Sequence, residues 1–484
     1  MKFFTSILRS GLVLSITLPF ALFSGNVDEN LKAGLDSIRP MDVYNYCKTI
    51  SSEKFAGRLT GHEGYNAAAK WAADKFSDWG LLPISSKTGY LQPYSSPYTI
   101  IKNAAMTFIL TGTEGQVKLS VGKDFLPLLY SDSGETRAGI VFAGWGISAP
   151  ELGYDDYAGV DVKGKFVCCF RGTPDHSNSG YTKHDHHRWR MKTAKNKGAL
   201  GVFYIYPEPI ANPNGEWLQD FTPAIISENS ADKLLKEKGL NSKNLKKELS
   251  STKKPRSFSL NSEVNYIVDS EYFPGAVGYN VAGYVEGSDP VLKKQCLIIG
   301  GHFDHCGLHM GCHFSGANDN ASGSAAVMEI AEAFSELKKK SKRSVMFVLF
   351  GGEEMGLMGS YYFADHLPTQ FEAVDAMFNF DMVGEGDGTI VGIQPDSPEF
   401  MQALEEADRH VHTLKKTFFI REVGVRSSDY APFFLKGARC MSFFSNGPHL
   451  HYHKTGDTIY RINPDILADI STLAFLTGFA WADR

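Results

Sequence analysis

The apolar positions in the C-terminal half fall into short uninterrupted runs. Residues 280–285 (NVAGYV), 297–299 (LII), 344–350 (SVMFVLF) and 376–380 (AMFNF) are each too short for a helix. Runs of that length, bounded by glycines and acids, read as strands buried on both faces. Between them the spacing changes: Val327, Ile330, Phe334 and Leu337 recur at helical intervals after a Gly/Asn-rich loop. Strands alternating with helices predict an α/β domain whose sheet is covered on both faces.

The N-terminal half has a different texture. Residues 30–83 carry a helical pattern, with a turn at 57–61 (GRLTG). Thr60 or His62 then opens a helix presenting Tyr65, Ala68, Ala69, Ala72, Phe76 and Trp79, which Gly80 stops. This segment holds no catalytic signal and reads as scaffold. From about 96 to 262, short β-like runs such as 139–144 and 164–170 alternate with turns, and 195–204 is a helix end feeding a strand. These features predict a mostly β domain inserted into the first one. Its Lys/Ser/Asn-rich end, 234–256, reads as a solvated helix and linker. The polar cluster 184–187 (HDHH) reads as solvated loop, since adjacent histidines without strand-end partners rarely hold a metal.

Length supports this division: 484 residues exceed one ordinary core, and 43% apolar with 21% charged residues is a globular composition. The expected parts are a signal peptide at 1–25, a first catalytic segment at 26–95, the insert at 96–264 and the main catalytic segment at 265–484. Lys2 and Arg9 precede an apolar stretch at 11–23, and Ser24-Gly25 supplies small residues for cleavage, so a secreted or periplasmic protein is expected. The stretch is shorter than the roughly 20 residues of a membrane span, so no membrane association is expected once it is removed. The net charge of −5, or −7 without Lys2 and Arg9 (47 − 54), argues against a nucleic-acid partner. Seven cysteines are odd and sparse, which excludes a disulfide scaffold. Cys306 and Cys312 read as reduced thiols, with a bridge between them as the alternative.

The candidate chemistry sits where the predicted strands end. His302 and Asp304 follow 297–299, Asp319 lies in the loop that opens the next helix, and Glu353-Glu354 follow 344–350. Asp381 follows 376–380, and Tyr452-His453 precede 454–458 (KTGDT) near the C-terminus. Ligands of open α/β sheets gather outside the carboxyl ends of the strands. Imidazole and carboxylate are the ligands that suit zinc without thiolate. Charge favours two ions. Two Zn²⁺ bring +4, Asp319, Glu354 and Asp381 bring −3, a bridging hydroxide brings −1, and His302 and His453 are neutral donors. Adjacent side chains at a strand end diverge, so one of Glu353 and Glu354 is free to act as general base. Asp304 is placed to accept the second imidazole N–H of His302. His305, His309, His313, His449 and His451 read as loop or pocket-wall residues.

At these residues the chain resembles the co-catalytic zinc exopeptidases related to bacterial secreted leucyl aminopeptidases, distant relatives of glutamate carboxypeptidase and the transferrin receptor. The matching motifs are GGHFDH, GANDNASG, FGGEEMG, FNFDMVG, SSDYAPF and YHKTGDT, in order from 279 to 458. YDDYAGVDVKGK and KGALGVF resemble the protease-associated domain inserted in many members. The resemblance implies a mixed central sheet, Asp319 bridging two zinc ions, His302 and Asp381 completing one, and Glu354 and His453 the other. It further implies Glu353 as base, Asp304 as the carboxylate behind His302, a cis Asp319–Asn320 peptide, and Tyr452 as a hydrogen-bond donor to the oxyanion. Asn318 departs from the family's usual Asp, and the loop 306–314 has no counterpart.

The expectation is a zinc-dependent aminopeptidase acting on peptides through a hydroxide bridging two Zn²⁺, with a glutamate base. The alternatives are a metallo-carboxypeptidase of acidic peptides, for which Arg421, Arg426 and Arg439 are candidate carboxylate binders, a single-zinc glutaminyl cyclase, and a receptor-like module without catalysis. Met382 and Phe433 either line the substrate pocket or pack in the core.

Overall fold

The computed structural model describes residues 28–111, 115–393, 398–411, 413–414, 417–420 and 428–484. The expected signal peptide, Arg421 and Arg426 lie outside the described residues.

The alternating apolar runs form a nine-stranded mixed sheet. Its centre is four parallel strands in the order Ser344–Phe350, Gln295–His302, Ala373–Phe380 and Arg439–Ser445. Antiparallel partners flank them: Val277–Val285 beside Ser344–Phe350, and Thr389–Ile393 beside Arg439–Ser445. Strand period two explains why the central runs are uninterrupted. Leu297, Ile299, Val345, Phe347 and Leu349 face one core, while Cys296, Ile298, Met346, Val348 and Phe350 face the other. The larger core is covered by Glu29–Ser37, Pro40–Ile50, Glu63–Asp78, Gly323–Ser335 and Pro464–Ala482, and the smaller by Met358–Asp365 and Ala431–Leu435. Each fully buried Leu, Ile, Val or Phe contributes roughly 1.5–3 kcal/mol, so this sandwich is the main source of stability in this half of the molecule. Pro464–Ala482 is the one described helix long and apolar enough to cross a membrane, but 89% of its apolar window is buried in this core.

The helix predicted from Thr60 or His62 spans Glu63–Asp78, with the His62 ring accepting the Gly64 N–H. At Pro40–Ile50 no local side chain caps the first turn. Glu329, buried on the neighbouring helix, accepts the Arg39 N–H at 2.9 Å instead. Burial pushes its carboxyl up to about 8, with Glu332 and Asp42 reinforcing the shift and the Arg39 N–H opposing it.

The change of sheet falls between Leu91–Ser95, which pairs with Val277–Val285, and Tyr98–Ile109, which begins the second sheet. That sheet has eight strands and is mostly antiparallel around the long pair Tyr98–Ile109 and Ser257–Phe273. Ser257–Phe273 carries the second sheet past the expected boundary at 264 to residue 273, because its alternate residues Val264, Tyr266 and Val268 remain in the insert's core. The helix-to-strand reading of 195–204 is realised as His187–Asn196 followed by Gly201–Tyr206. The histidine cluster differs from expectation: His184 and His187 are buried, with His184 Nε2 2.9 Å from Glu151 and His187 packed edge-on to Tyr204.

The loop 306–314, which none of the resembling motifs covers, joins the two halves. It forms a small hairpin, Gly307–His309 with Cys312–Phe314, and Cys306 and Phe314 lie in the insert's core. The Met310 N–H donates to the Ile101 carbonyl, and His309 accepts the Ile101 N–H on Nδ1. All seven cysteines are free thiols in the structure, including Cys306 and Cys312.

Candidate metal centre

The four central strands deliver their chemistry side by side. His302 ends its own strand, Glu353 and Glu354 follow Phe350 after a turn at Gly351-Gly352, and Asp381 follows Phe380. His453 lies in the loop after Ser445, and Asp319 in the turn that opens Gly323–Ser335. The strands are parallel, so their carboxyl ends share one edge, the crevice where open α/β sheets bind ligands.

The Asp319 loop is held from several sides. Asp457 accepts the N–H groups of Asn318 and Asp319 at 2.8 and 3.0 Å. Asn320 donates to the Phe380 carbonyl at 2.8 Å and accepts the Gly323 and Met382 N–H groups, which ties the loop to the strand end bearing Asp381. The Asp319–Asn320 peptide is cis. Asn318, the departure from the family pattern, accepts the Gly384 N–H and lies 3.0 Å from His449 Nδ1. Arg58, from the segment read as scaffold, is fully buried beneath the same loops. Its guanidinium donates to the carbonyls of Ile50, Phe303, Ser315 and Gly316 at 2.8–2.9 Å.

The ligand-type atoms converge in two groups that share Asp319. His302 Nε2 is 3.3 Å from Asp319 Oδ1 and 3.4 Å from Asp381 Oδ1. His453 Nε2 is 3.2 Å from Asp319 Oδ2 and 2.9 Å from Glu354 Oε2. A tetrahedral zinc shell with ligands about 2.0–2.1 Å from the metal has edges of about 3.3–3.4 Å, so these separations suit a common ion in each group. The His453 Nδ1–H donates to the Ala211 carbonyl at 2.7 Å, because a carbonyl can only accept. Its Nε2 lone pair is thereby left facing the acids, and Nε2 and Asp319 Oδ2 have no hydrogen-bond partner among the described residues. Buried polar atoms are normally paired, so converging unpaired lone pairs fit a cation. The Ala211 N–H in turn donates to the His453 carbonyl at 2.9 Å, and His453 holds a left-handed φ of +53°. A non-glycine residue there is strained and needs such bracing.

Electrostatics point the same way. Burial disfavours charge on His302 and His453, yet both are pulled well above the usual imidazole pKa, His302 by Asp381 and Glu353, and His453 by Glu354 and Asp319. Burial also works against a charged Glu354, but His453 and His305 bring its carboxyl down to about 2. Glu353 is held well above the usual carboxylate range by burial, with Glu354 and Asp429 reinforcing the shift and His302 opposing it. The pocket thus has a negative potential that protons satisfy in part and that dications would satisfy better.

Asp304 is fully buried and accepts the Glu353 N–H at 3.1 Å. Its Oδ1 is 3.7 Å from His302 Nδ1, while its own main-chain carbonyl is nearer, at 3.3 Å. The Tyr452 ring stacks on His453 at 3.8 Å and is 45% exposed, which places it at the wall of the opening. Ser428 donates to Asp381 Oδ2 at 2.8 Å. His305 was read as a wall residue, but it is buried with Nδ1 2.9 Å from Glu354 Oε1 and 4.0 Å from Asp319 Oδ2. Its position directly after Asp304 was the only sequence signal for it. Phe433 packs in the smaller core, whereas Met382 is partly exposed next to Asp381. Arg439 starts its strand, pairs with Ala376 and stacks on Trp481, so it lies at the opposite edge of the sheet from the acids. Glu353, Glu354, Tyr452 and His453 open onto a cavity of about 370 Å³ whose other wall, including Arg171, His187 and Asn212, comes from the insert.

Comparison with known proteins agrees with this architecture. Residues 280–477 match Peptidase family M28. Leupeptin-inactivating enzyme 1 of Streptomyces exfoliatus is 33% identical over 176 residues, covering 36% of this chain and 37% of that protein. An aminopeptidase of Pseudomonas aeruginosa is 30% identical over 232 residues, covering 42% and 41%. The chain therefore aligns with less than half the length of either relative. Aminopeptidase YwaD of Bacillus subtilis is 25% identical over 372 residues, covering 73% and 70%. Among solved structures, the aminopeptidase from Aneurinibacillus sp. strain AM-1 superposes with a TM-score of 0.64 at 21% identity, over 92% of this chain and 95% of that one. A zinc aminopeptidase from Bacillus subtilis gives 0.62 at 18% identity, over 92% and 96%. These likenesses establish a common fold. All four strand-end clusters lie within residues 280–477, the stretch that is similar to peptidase family M28.

Proposed function

We propose that the protein is a zinc-dependent aminopeptidase that removes residues from the N-termini of peptides and acts after export from the cytoplasm. The observation that carries this reading is the pair of ligand groups sharing Asp319, with Glu353 beside them and one cavity leading in. His302, Asp319 and Asp381 would hold one zinc ion, and Asp319, Glu354 and His453 the second. Zinc bound there supplies Lewis acidity for the scissile carbonyl and an acidified water as nucleophile.

The chain's own residues do the rest. Glu353 takes the proton from the attacking water on its carboxylate and delivers it to the leaving amine nitrogen. Asp304 holds the Glu353 main chain through its carboxylate, and its main-chain carbonyl is the nearer acceptor for His302 Nδ1, so one buried residue braces both a ligand and the base. Tyr452 donates a hydrogen bond to the oxygen that gains charge in the transition state. The substrate's ammonium group is attracted by the surplus of carboxylates, and the insert wall limits the bulk that reaches them.

A second reading is favoured by one feature. Arg171 lines the same cavity, and a guanidinium there suits the terminal carboxylate that a carboxypeptidase recognises. The test is zinc analysis with paired assays of leucyl anilides and N-blocked dipeptides, with and without chelator. Two zinc ions per chain and chelator-sensitive anilide hydrolysis are expected. Cleavage of only the blocked dipeptides would replace the reading by the carboxypeptidase, and a single bound zinc would remove the paired-metal chemistry.

A further inference from the structure

We infer that a second cleft, between the insert and the catalytic half, binds the downstream part of an oligopeptide substrate and seats one bulky apolar side chain. The inference rests on the aminopeptidase reading and adds a substrate preference to it. The cleft has a volume of about 200 Å³ and is lined by Tyr130, Arg188, Trp217 and Tyr272 from the insert side and by Met355 and Met358 from the catalytic half. This is room for a side chain and its peptide unit, below the roughly 300–1,000 Å³ typical of sites for whole small molecules.

Position ties the cleft to the chemistry. Met355 immediately follows Glu354, and its carbonyl accepts a hydrogen bond from Arg188 at 2.5 Å. Arg188 also donates to Asn214 at 3.2 Å. Asn214 and Gly356 line the cavity at the metal centre, whereas their chain neighbours Gly215 and Met355 line this cleft, so the two are adjacent along both segments. A peptide held by its N-terminus at the acids has only its downstream residues to place in the adjacent cleft.

The lining matches such a chain. Trp217 and Tyr272 stack face to face at 4.5 Å and form a flat aromatic wall. The Tyr130 hydroxyl and the Trp217 Nε1–H are buried and have no hydrogen-bond partner among the described residues. Tyr130 itself is 5% exposed and pressed against Gly215, where an added Cβ would stand 2.0 Å from a ring carbon, so its ring is fixed. Indole N–H only donates and a phenol donates readily. Peptide carbonyls are the matching acceptors. Glu216, the acid at the rim, is occupied by Lys192 at 2.7 Å.

The test compares kcat/KM for Leu-(Gly)n-Phe and Leu-(Gly)n-Gly at increasing n, with leucyl anilide as reference. The Phe peptide is expected to exceed the Gly peptide by about tenfold at one length, the scale of one lost hydrogen bond or aromatic contact. Tyr130→Phe and Trp217→Ala should each lower the ratio of peptide to anilide kcat/KM, mainly through KM. Absence of a Phe preference at every length, or an unchanged ratio in both variants, overturns the inference while leaving the aminopeptidase reading standing. Failure of the wild-type protein to cleave any substrate with a free α-amine would remove that reading, and this inference with it.

Discussion

The two sheets of this protein contribute to one pocket in different ways. The nine-stranded sheet presents its candidate ligands directly: four parallel strands end at the same edge, and each end or the loop after it carries an acid or an imidazole. The inserted sheet supplies no member of the two Asp319 groups. It reaches the pocket through a loop, where Ala211 clamps His453 by two hydrogen bonds, and through the cavity wall of Arg171, His187 and Asn212. The difference teaches that the reactive groups sit at the carboxyl ends of the buried central strands, while their orientation and access depend on a second body docked through the 306–314 hairpin.

The largest effect should come from the catalytic side. Glu353→Gln is expected to retain zinc and lose about 10²–10⁴-fold in kcat. Turnover close to wild type, measured alongside metal content, would assign the base elsewhere. Arg58→Ala removes a buried cation bonded to four carbonyls and should cost about 3–4 kcal/mol in urea unfolding. A loss below about 1 kcal/mol would show that the ligand loops stand without it.

Glu329 tests a buried acid of the catalytic half that lies away from the pocket. Its pKa is raised from 4.5 in the unfolded chain to about 8 in the fold, so the folded state binds the extra proton and stability falls as pH rises through that window. Glu329→Gln should track the wild type near pH 5 and exceed it by about 4 kcal/mol near pH 9. Parallel stability curves for the two proteins would refute the assignment. The smallest expected effect probes the insert's hold on the centre. Ala211→Pro deletes the N–H that braces His453, and zinc affinity in a chelator competition should drop by about tenfold, the lower end for a group behind a ligand. Unaltered affinity in a protein with a normal melt would reduce the insert to a cover.

What was legible follows from how local each signal is. His302, Glu353, Glu354 and Asp381 could be singled out as candidates because a buried strand announces itself by its apolar run, and the polar residue just past it stands out. Arg58, Asp457 and His305 gave no such warning. Arg58 sits in a short glycine-flanked turn that looks like any other, and its four acceptors are main-chain carbonyls scattered from Ile50 to Gly316. Asp457 acts on N–H groups more than a hundred residues away. The HDHH cluster misled for the same reason: polar spacing suggested solvent, but His184 and His187 are buried by partners, Glu151 and Tyr204, that only the folded insert brings near.

The sequence by itself determined the alternation of strands and helices, the two-sheet division and the residue types that a zinc peptidase centre requires, because period, length and side-chain chemistry are properties of adjacent residues. Only the tertiary structure decided which imidazole nitrogen faces the acids, which carbonyls Arg58 satisfies, and that an aromatic cleft lies one residue beyond Glu354. Those outcomes depend on distances between segments far apart in the chain, which packing of the whole molecule alone sets.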